Sequence, residues 1–277
     1  MTDRHLYQRP DTLSDALSLL ASGGWQVAAG CTDIFPATQR KVLDGPTLDI
    51  TGIADLRGIT RTDKGLRIGA TTTWTDIIKA DLPAAFDGLK LAAREVGAMQ
   101  IQNRGTLAGN LCNASPAADG VPPLLVLDAQ VEISSPEGVQ TLPLAAFITG
   151  PRQTALAPTD LVSAIHIPVA SMDGRSHFLK LGARKYLVIS VAMTAARIVV
   201  TDGVVTQAAL AVGSCGPVAT RLPEVEAQLI GQPVDASLVT DAAVARAIAP
   251  IDDIRADATY RTEGAAELLR RTVDAVS

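Results

Sequence analysis

Two stretches of this sequence gather glycine, alanine and short polar side chains at a density that suits a dinucleotide. The first, "AAGCTD", offers Ala29 and Gly30, where backbone N–H groups can come close to a pyrophosphate, and Thr32 as a hydroxyl donor. The second, "GTLAGN", offers Gly105, Thr106, Ala108, Gly109 and Asn110. Asn113, Ser115 and Asp119 follow with amide, hydroxyl and carboxylate groups suited to ribose, ribityl or flavin-edge contacts. Either stretch alone reads as an ordinary glycine-containing turn, and it is their conjunction that favours binding. Ser115 before Pro116 also has the form of a helix cap and first-turn pair.

Competing chemistries lack their residues. There is no G-x-G-x-x-G after a strand and no G-x-x-x-x-G-K-[ST], which argues against Rossmann and P-loop sites. "VGSCGP" departs from G-x-S-x-G, has no histidine and acid placed to serve it, and reads as a turn ending a strand. Cys31, Cys112 and Cys215 are widely separated with no C-x-x-C pair, and His5, His166 and His177 lack the i, i+4 spacing of a zinc helix. The expectation is three reduced thiols and no metal site.

Composition narrows the class further. Apolar residues are 47% and charged residues 19% of the 277, the balance of an ordered globular chain. Aromatics at 3% leave little for base stacking, and the net charge of -5 opposes a phosphate backbone, so no nucleic-acid partner is expected. No apolar run approaches the roughly 18 residues of a membrane span, and "MTDRHLYQRP" lacks the apolar core of a secretory signal. A cytoplasmic protein is expected.

Several elements stand ready to position the two loops. "DTLSDALSLLASGG" predicts a helix capped by Asp11 or Thr12, with Leu13, Leu17 and Leu20 on one face, and "WQVAAG" a strand running into the first loop. "TLDI" and "GLRIGA" read as strands, "TTTWTDIIKA" as a capped helix, and "LPAAFDGLKLAAREVG" as a helix with Leu89, Ala92, Ala93 and Val96 inward. "PPLLVLDAQVEISS" reads as a buried apolar run entering an alternating strand, and "DLVSAIHIP" as a strand stopped by Pro168. After the hydrophilic "ASMDGRS" come three strands, the last two joined by "TDG", a hairpin turn, and then two or three helices. The main boundary is expected near residue 172 and a weaker one near 53, giving segments 1–53, 54–172 and 173–277.

Over nearly its whole length the chain resembles the FAD-binding medium subunits of molybdenum hydroxylases, the family of xanthine and carbon monoxide dehydrogenases and related aldehyde- and N-heterocycle-oxidising enzymes. The resemblance rests on "AAGCTDIFPA", "IGATTTWTDI" and above all "QIQNRGTLAGNLCNASPAADGVPPLLVLDA", with "GPRQTALAPTDLVSAIHIP", "FLKLGARK" and "DDIRADATYR" as later landmarks. It implies an α+β fold: a vanillyl-alcohol-oxidase/PCMH-type FAD-binding domain of two subdomains, then a small C-terminal α+β domain with a three-stranded antiparallel sheet. It implies noncovalent FAD, with Ala29, Gly30, Cys31, Thr32, Asp33 and Ile34 around the pyrophosphate. Gly105, Thr106, Gly109, Asn110, Asn113, Ser115 and Asp119 would complete the site, and Leu161 and Lys180 would lie near the flavin. On residue type alone, Leu161 reads as a core strand leucine and Lys180 as a solvated lysine.

The resemblance further implies no catalytic acid or base on this chain. A large partner subunit would carry the molybdenum cofactor, a small one two [2Fe–2S] clusters, and electrons would pass through FAD to NAD, oxygen (O2) or another acceptor. Two rival readings are a stand-alone flavin oxidoreductase of the same fold and an interaction subunit without FAD. Two positions depart from the family's usual pattern: Cys31 and Ala108 stand where glycine is common. A cysteine forced to positive φ would carry strain that glycine would not.

Overall fold

The computed structural model describes residues 6–39, 43 and 45–277; His5 lies outside them. Near the N-terminus, the short strands Tyr7–Gln8 and Gln26–Ala28 both pair in parallel with Thr47–Asp49. The helix Leu13–Ala21 packs against this sheet through Ala16 and Leu20, with Leu13 and Leu17 partly buried. Its N-terminal hydrogen bond comes from Thr12, whose hydroxyl accepts from the Asp15 N–H.

A five-stranded antiparallel sheet follows in the order Ile59–Thr62, Gly65–Gly69, Leu161–Pro168, Gln130–Ser135, Gly138–Pro143. Helices Trp74–Lys79 and Asp87–Glu95 lie in the core that covers it, burying Trp74, Ile77, Leu89, Ala92 and Ala93. Thr73 and Asp76 form a reciprocal capping box at the first of these helices, as "TTTWTD" suggests. The apolar run "VPPLLV" is a short helix, Val121–Val126, with prolines in its first turn; the alternating strand begins only at Gln130.

The C-terminal sheet has strands Arg175–Leu181, Ala192–Thr201 and Val204–Gly213, and a two-residue fourth, Thr220–Arg221, where the resemblance implies three. The turn between the second and third strands places Asp202 at φ 52 and Gly203 at φ 78, as the "TDG" hairpin requires. The central strands are apolar at almost every position because both faces are buried. Met193, Ala195, Ala209 and Ala211 face the core of the five-stranded sheet and its helix Val121–Val126. Ala196, Ile198, Leu210 and Val212 face helices Pro223–Leu229, Asp241–Ala247 and Ala258–Asp274. The sheet thus joins two cores.

Charged side chains lock this junction. Buried Arg197 donates to the Val126 carbonyl at 2.8 Å, and Arg221 bridges Glu226 at 2.7 Å and Asp128 at 2.8 Å. The landmark "DDIRADATYR" builds the start of the last helix. Asp257 caps it, and buried Arg261 donates to the Val191 and Ser214 carbonyls and to Asp253 at 2.7 Å.

The Arg255 N–H, together with the Arg261 guanidinium and the Ala256 N–H, lowers the Asp253 pKa to about 2. This folded value lies below the unfolded one of about 3.9, so the stabilisation is full above pH 4 and disappears as pH falls from 4 to 2. Asp253→Asn is therefore expected to lower the melting temperature by about 1–3 °C at pH 7, because solvent screening at this exposed carboxylate leaves less than about 1 kcal/mol. Melts of both proteins run down to pH 2 should converge, and a constant offset would refute the assignment.

Candidate functional site

Gly30 brings the two glycine-bearing loops into contact. A Cβ there would lie 2.1 Å from the Arg104 carbonyl oxygen and 2.8 Å from Gly105 Cα, so the absence of a side chain lets one backbone rest on the other. Gly105 in turn lies under Trp74 and beside the Thr32 hydroxyl, 3.2 and 3.3 Å from where its Cβ would be. Behind the second loop runs "TTTW". The Trp74 N–H donates to the Gly105 carbonyl at 3.1 Å, and the Leu107 N–H to the Thr72 carbonyl at 3.0 Å. Thr106 caps the helix Leu107–Asn113 through the Gly109 N–H.

These loops, with Leu161 and Lys180, line one cavity of about 680 Å³. It holds Ala29, Gly30, Cys31, Thr32, Asp33, Ile34, Gly105, Thr106, Gly109, Asn110, Asn113, Ser115, Asp119, Leu161 and Lys180, every residue expected at the site. The backbone N–H groups of Gly30 through Ile34 donate to no protein acceptor among the described residues. Consecutive uncommitted amides at a turn form an anion-binding concavity, and that fits the pyrophosphate of FAD.

Side chains set the rest of the wall. Asn113 donates from Nδ2 to Asp33 at 2.9 Å, tying the second loop to the first, and accepts from Arg152 through its Oδ1. Asn110 uses its amide oxygen to hold the Gly120 N–H at 3.3 Å. Ser115 accepts from the Ala117 N–H within a turn; no helix begins at Pro116, and the next starts at Val121.

Lys180 is no solvated lysine. Its side chain is 7% exposed and its Nζ lies 2.8 Å from Asp119, whose other oxygen accepts from Ser190 at 2.8 Å. Burial pushes the Asp119 carboxyl up, while the Lys180 ammonium and Ser190 hydroxyl oppose the shift. Leu161 is 2% exposed, packing in the N-terminal core and lining the cavity at once.

Of the two cavity thiols, Cys31 is half-buried, and burial foremost raises its pKa, with the Asp49 charge adding to it, while Cys112 is exposed and has no cation beside it among the described residues to activate it. Neither is an activated nucleophile at neutral pH. Cys31 sits at φ 60, so it carries the strain that a glycine would avoid, whereas Ala108 is buried in the helix. Cys31→Gly is expected to keep FAD affinity at or above the wild-type level, and Cys31→Val to weaken it roughly tenfold, since a β-branched residue resists this region most. Fluorescence titration separates them; equal weakening in both variants would assign the role to the thiol instead.

Sequence reasoning missed Trp74 as the floor of the second loop, Arg152 in the hairpin Ile148–Gly150 and Gln153–Thr154, and the segment Leu187–Ile189. "GPRQT" held the one available signal: a charged residue in a glycine–proline turn.

Comparisons with known proteins identify the family of the whole chain. Residues 2–170 match the family described as the FAD binding domain in molybdopterin dehydrogenase, and residues 177–276 the CO dehydrogenase flavoprotein C-terminal domain. The chain is 32% identical to the xanthine dehydrogenase FAD-binding subunit of Escherichia coli O157:H7, over 94% of this chain and 92% of that protein. It is 30% identical to the carbon monoxide dehydrogenase medium chain of Afipia carboxidovorans, over 97% and 95%. The solved structure of the Cu,Mo-CO dehydrogenase in its cyanide-inactivated form superposes with a TM-score of 0.91 at 28% identity, covering 100% of this chain and 98% of that one.

The chain therefore belongs to the FAD-binding subunits of the molybdenum hydroxylases. It is an oxidoreductase subunit of the xanthine and carbon monoxide dehydrogenase type, built from an FAD-binding domain and a flavoprotein C-terminal domain. Among the described residues no helix is long and apolar enough to cross a membrane.

Proposed function

We propose that this chain is the electron-transfer subunit of a three-chain molybdenum hydroxylase. It takes electrons from [2Fe–2S] clusters on a small subunit and passes them to NAD or another acceptor. A large subunit meanwhile oxidises a purine, aldehyde or N-heterocycle at its molybdenum cofactor. The observation that carries the reading is the single cavity in which both loops, Leu161 and Lys180 meet, floored by uncommitted amides. FAD, when bound there noncovalently, supplies a group that takes up two electrons and releases them one or two at a time.

The residues of this chain bind and orient. The amides of Gly30 to Ile34 receive the pyrophosphate, and the Asn113–Asp33 bond holds the loops at a fixed separation around it. The Lys180–Asp119–Ser190 cluster closes the wall from the C-terminal side. The division at residues 53 and 172 belongs to the same proposal.

The visible spectrum of the purified chain after incubation with FAD and desalting tests the binding step, and flavin bands are expected to persist. Loaded protein should be reduced by dithionite, and NADH should at most drive acceptor reduction, with no substrate hydroxylation. Hydroxylation by this chain alone would overturn the reading.

A further inference from the structure

Of the charged side chains lining the cavity, Lys180 is matched by Asp119 at 2.8 Å, whereas Arg152 has no carboxylate ion pair among the described residues. A dinucleotide brings two negative charges on its pyrophosphate. Among the described residues of the lining, Arg152 is the cation without a carboxylate partner.

Its placement is held at a backbone cost. Arg152 sits at φ 59, a conformation disfavoured for a side chain of this size, at the tip of the hairpin Ile148–Gly150 and Gln153–Thr154. Its N–H donates at 2.8 Å to the carbonyl of Ala114, itself left-handed at φ 45, so the hairpin tip is latched to the end of helix Leu107–Asn113. The guanidinium donates through Nη1 to the Asn113 side-chain oxygen and, at 3.3 Å, to its carbonyl. Its Nη2 and Nε meet no protein acceptor among the described residues. Asn113 fixes the planar group by one edge and, through its bond to Asp33, sets its distance from the amide-bearing loop. A guanidinium anchored on one edge with the other free suits charge-assisted bonding to phosphate oxygens.

We infer that Arg152 is a positioning residue for the pyrophosphate of a dinucleotide bound at this cavity. Two sources share that chemistry, FAD itself and a nicotinamide dinucleotide approaching as acceptor. The inference rests on the proposed function, and the test separates the two.

Wild type, Arg152→Lys, Arg152→Gln and Arg152→Gly are titrated with FAD, riboflavin and inorganic pyrophosphate, and the FAD-loaded proteins with NADH. Arg152→Gly is informative because φ 59 suits glycine: its melting temperature should be no lower than wild type while the charge is gone. Expected is a tenfold or larger loss in Arg152→Gln and Arg152→Gly, partly restored in Arg152→Lys, with riboflavin binding unchanged. Loss on FAD and pyrophosphate assigns the cofactor; loss on NADH alone assigns the acceptor.

If wild type retains FAD and all four ligands bind the variants within twofold, the inference fails alone. If riboflavin weakens in parallel with FAD, Arg152 only props Asn113 and the inference fails. A wild-type chain that releases FAD, yet binds pyrophosphate in an Arg152-dependent way, refutes the proposed function and upholds the residue's role. A chain that binds neither refutes both.

Discussion

Gly30→Ala protein, mixed with FAD and desalted, is expected to come off the column nearly colourless. The added methyl would stand 2.1 Å from the Arg104 carbonyl oxygen and 2.8 Å from its carbon, far inside van der Waals contact, and both atoms are backbone. No rotamer change relieves such a clash, so the loops must part. Parting them spoils the spacing between the Gly30–Ile34 amides and the helix Leu107–Asn113, which line one cavity. We expect FAD affinity to fall 10- to 100-fold, about 1.4–2.8 kcal/mol. Gly216→Ala is the control, because a Cβ there meets nothing closer than 3.5 Å. Wild-type affinity in Gly30→Ala would mean that the loops tolerate separation and that their contact is incidental to binding.

The second large effect is on stability. Asp119→Ala leaves the Lys180 ammonium, with its side chain 7% exposed, without its carboxylate. Breaking a buried pair from one side costs about 3–5 kcal/mol, which for a chain of this size lowers the melting temperature by on the order of 10 °C. The double variant Asp119→Ala with Lys180→Met removes both charges and should recover most of that loss, since an apolar replacement of a buried pair is often near neutral. Melts without added FAD isolate folding from ligand binding. A single variant within 2 °C of wild type would show that water reaches Lys180 in solution.

Much of the scaffold is written locally in the sequence. Thr73 and Asp76 sit three apart before an apolar run and form the capping box; Asp202–Gly203 makes its hairpin from neighbours alone. The two loops were legible because their small residues have few other uses in such number. What escaped depends on partners far along the chain. Lys180 looks like any strand lysine until Asp119, sixty-one residues earlier, is folded against it. Gly30 reads as freedom to approach a ligand, yet the surface it touches is Arg104. Arg152 shows no periodicity at all, and Thr220–Arg221 is a strand only because Val204–Gly213 offers it an edge.

The C-terminal sheet buries one face against the FAD-binding core and also delivers Lys180 and Leu187–Ile189 to the cavity wall. This arrangement makes the closing of the cavity depend on the last third of the chain. A nascent chain that has emerged only as far as Pro168 has both loops but lacks the wall that closes them, and Asp119 has no cation beside it. The strands that supply that wall are held from behind by the last helix, Ala258–Asp274. Closure of the cavity is therefore expected to wait for the C-terminal third of the chain, and a chain ended at Pro168 should present both loops with that side open to solvent.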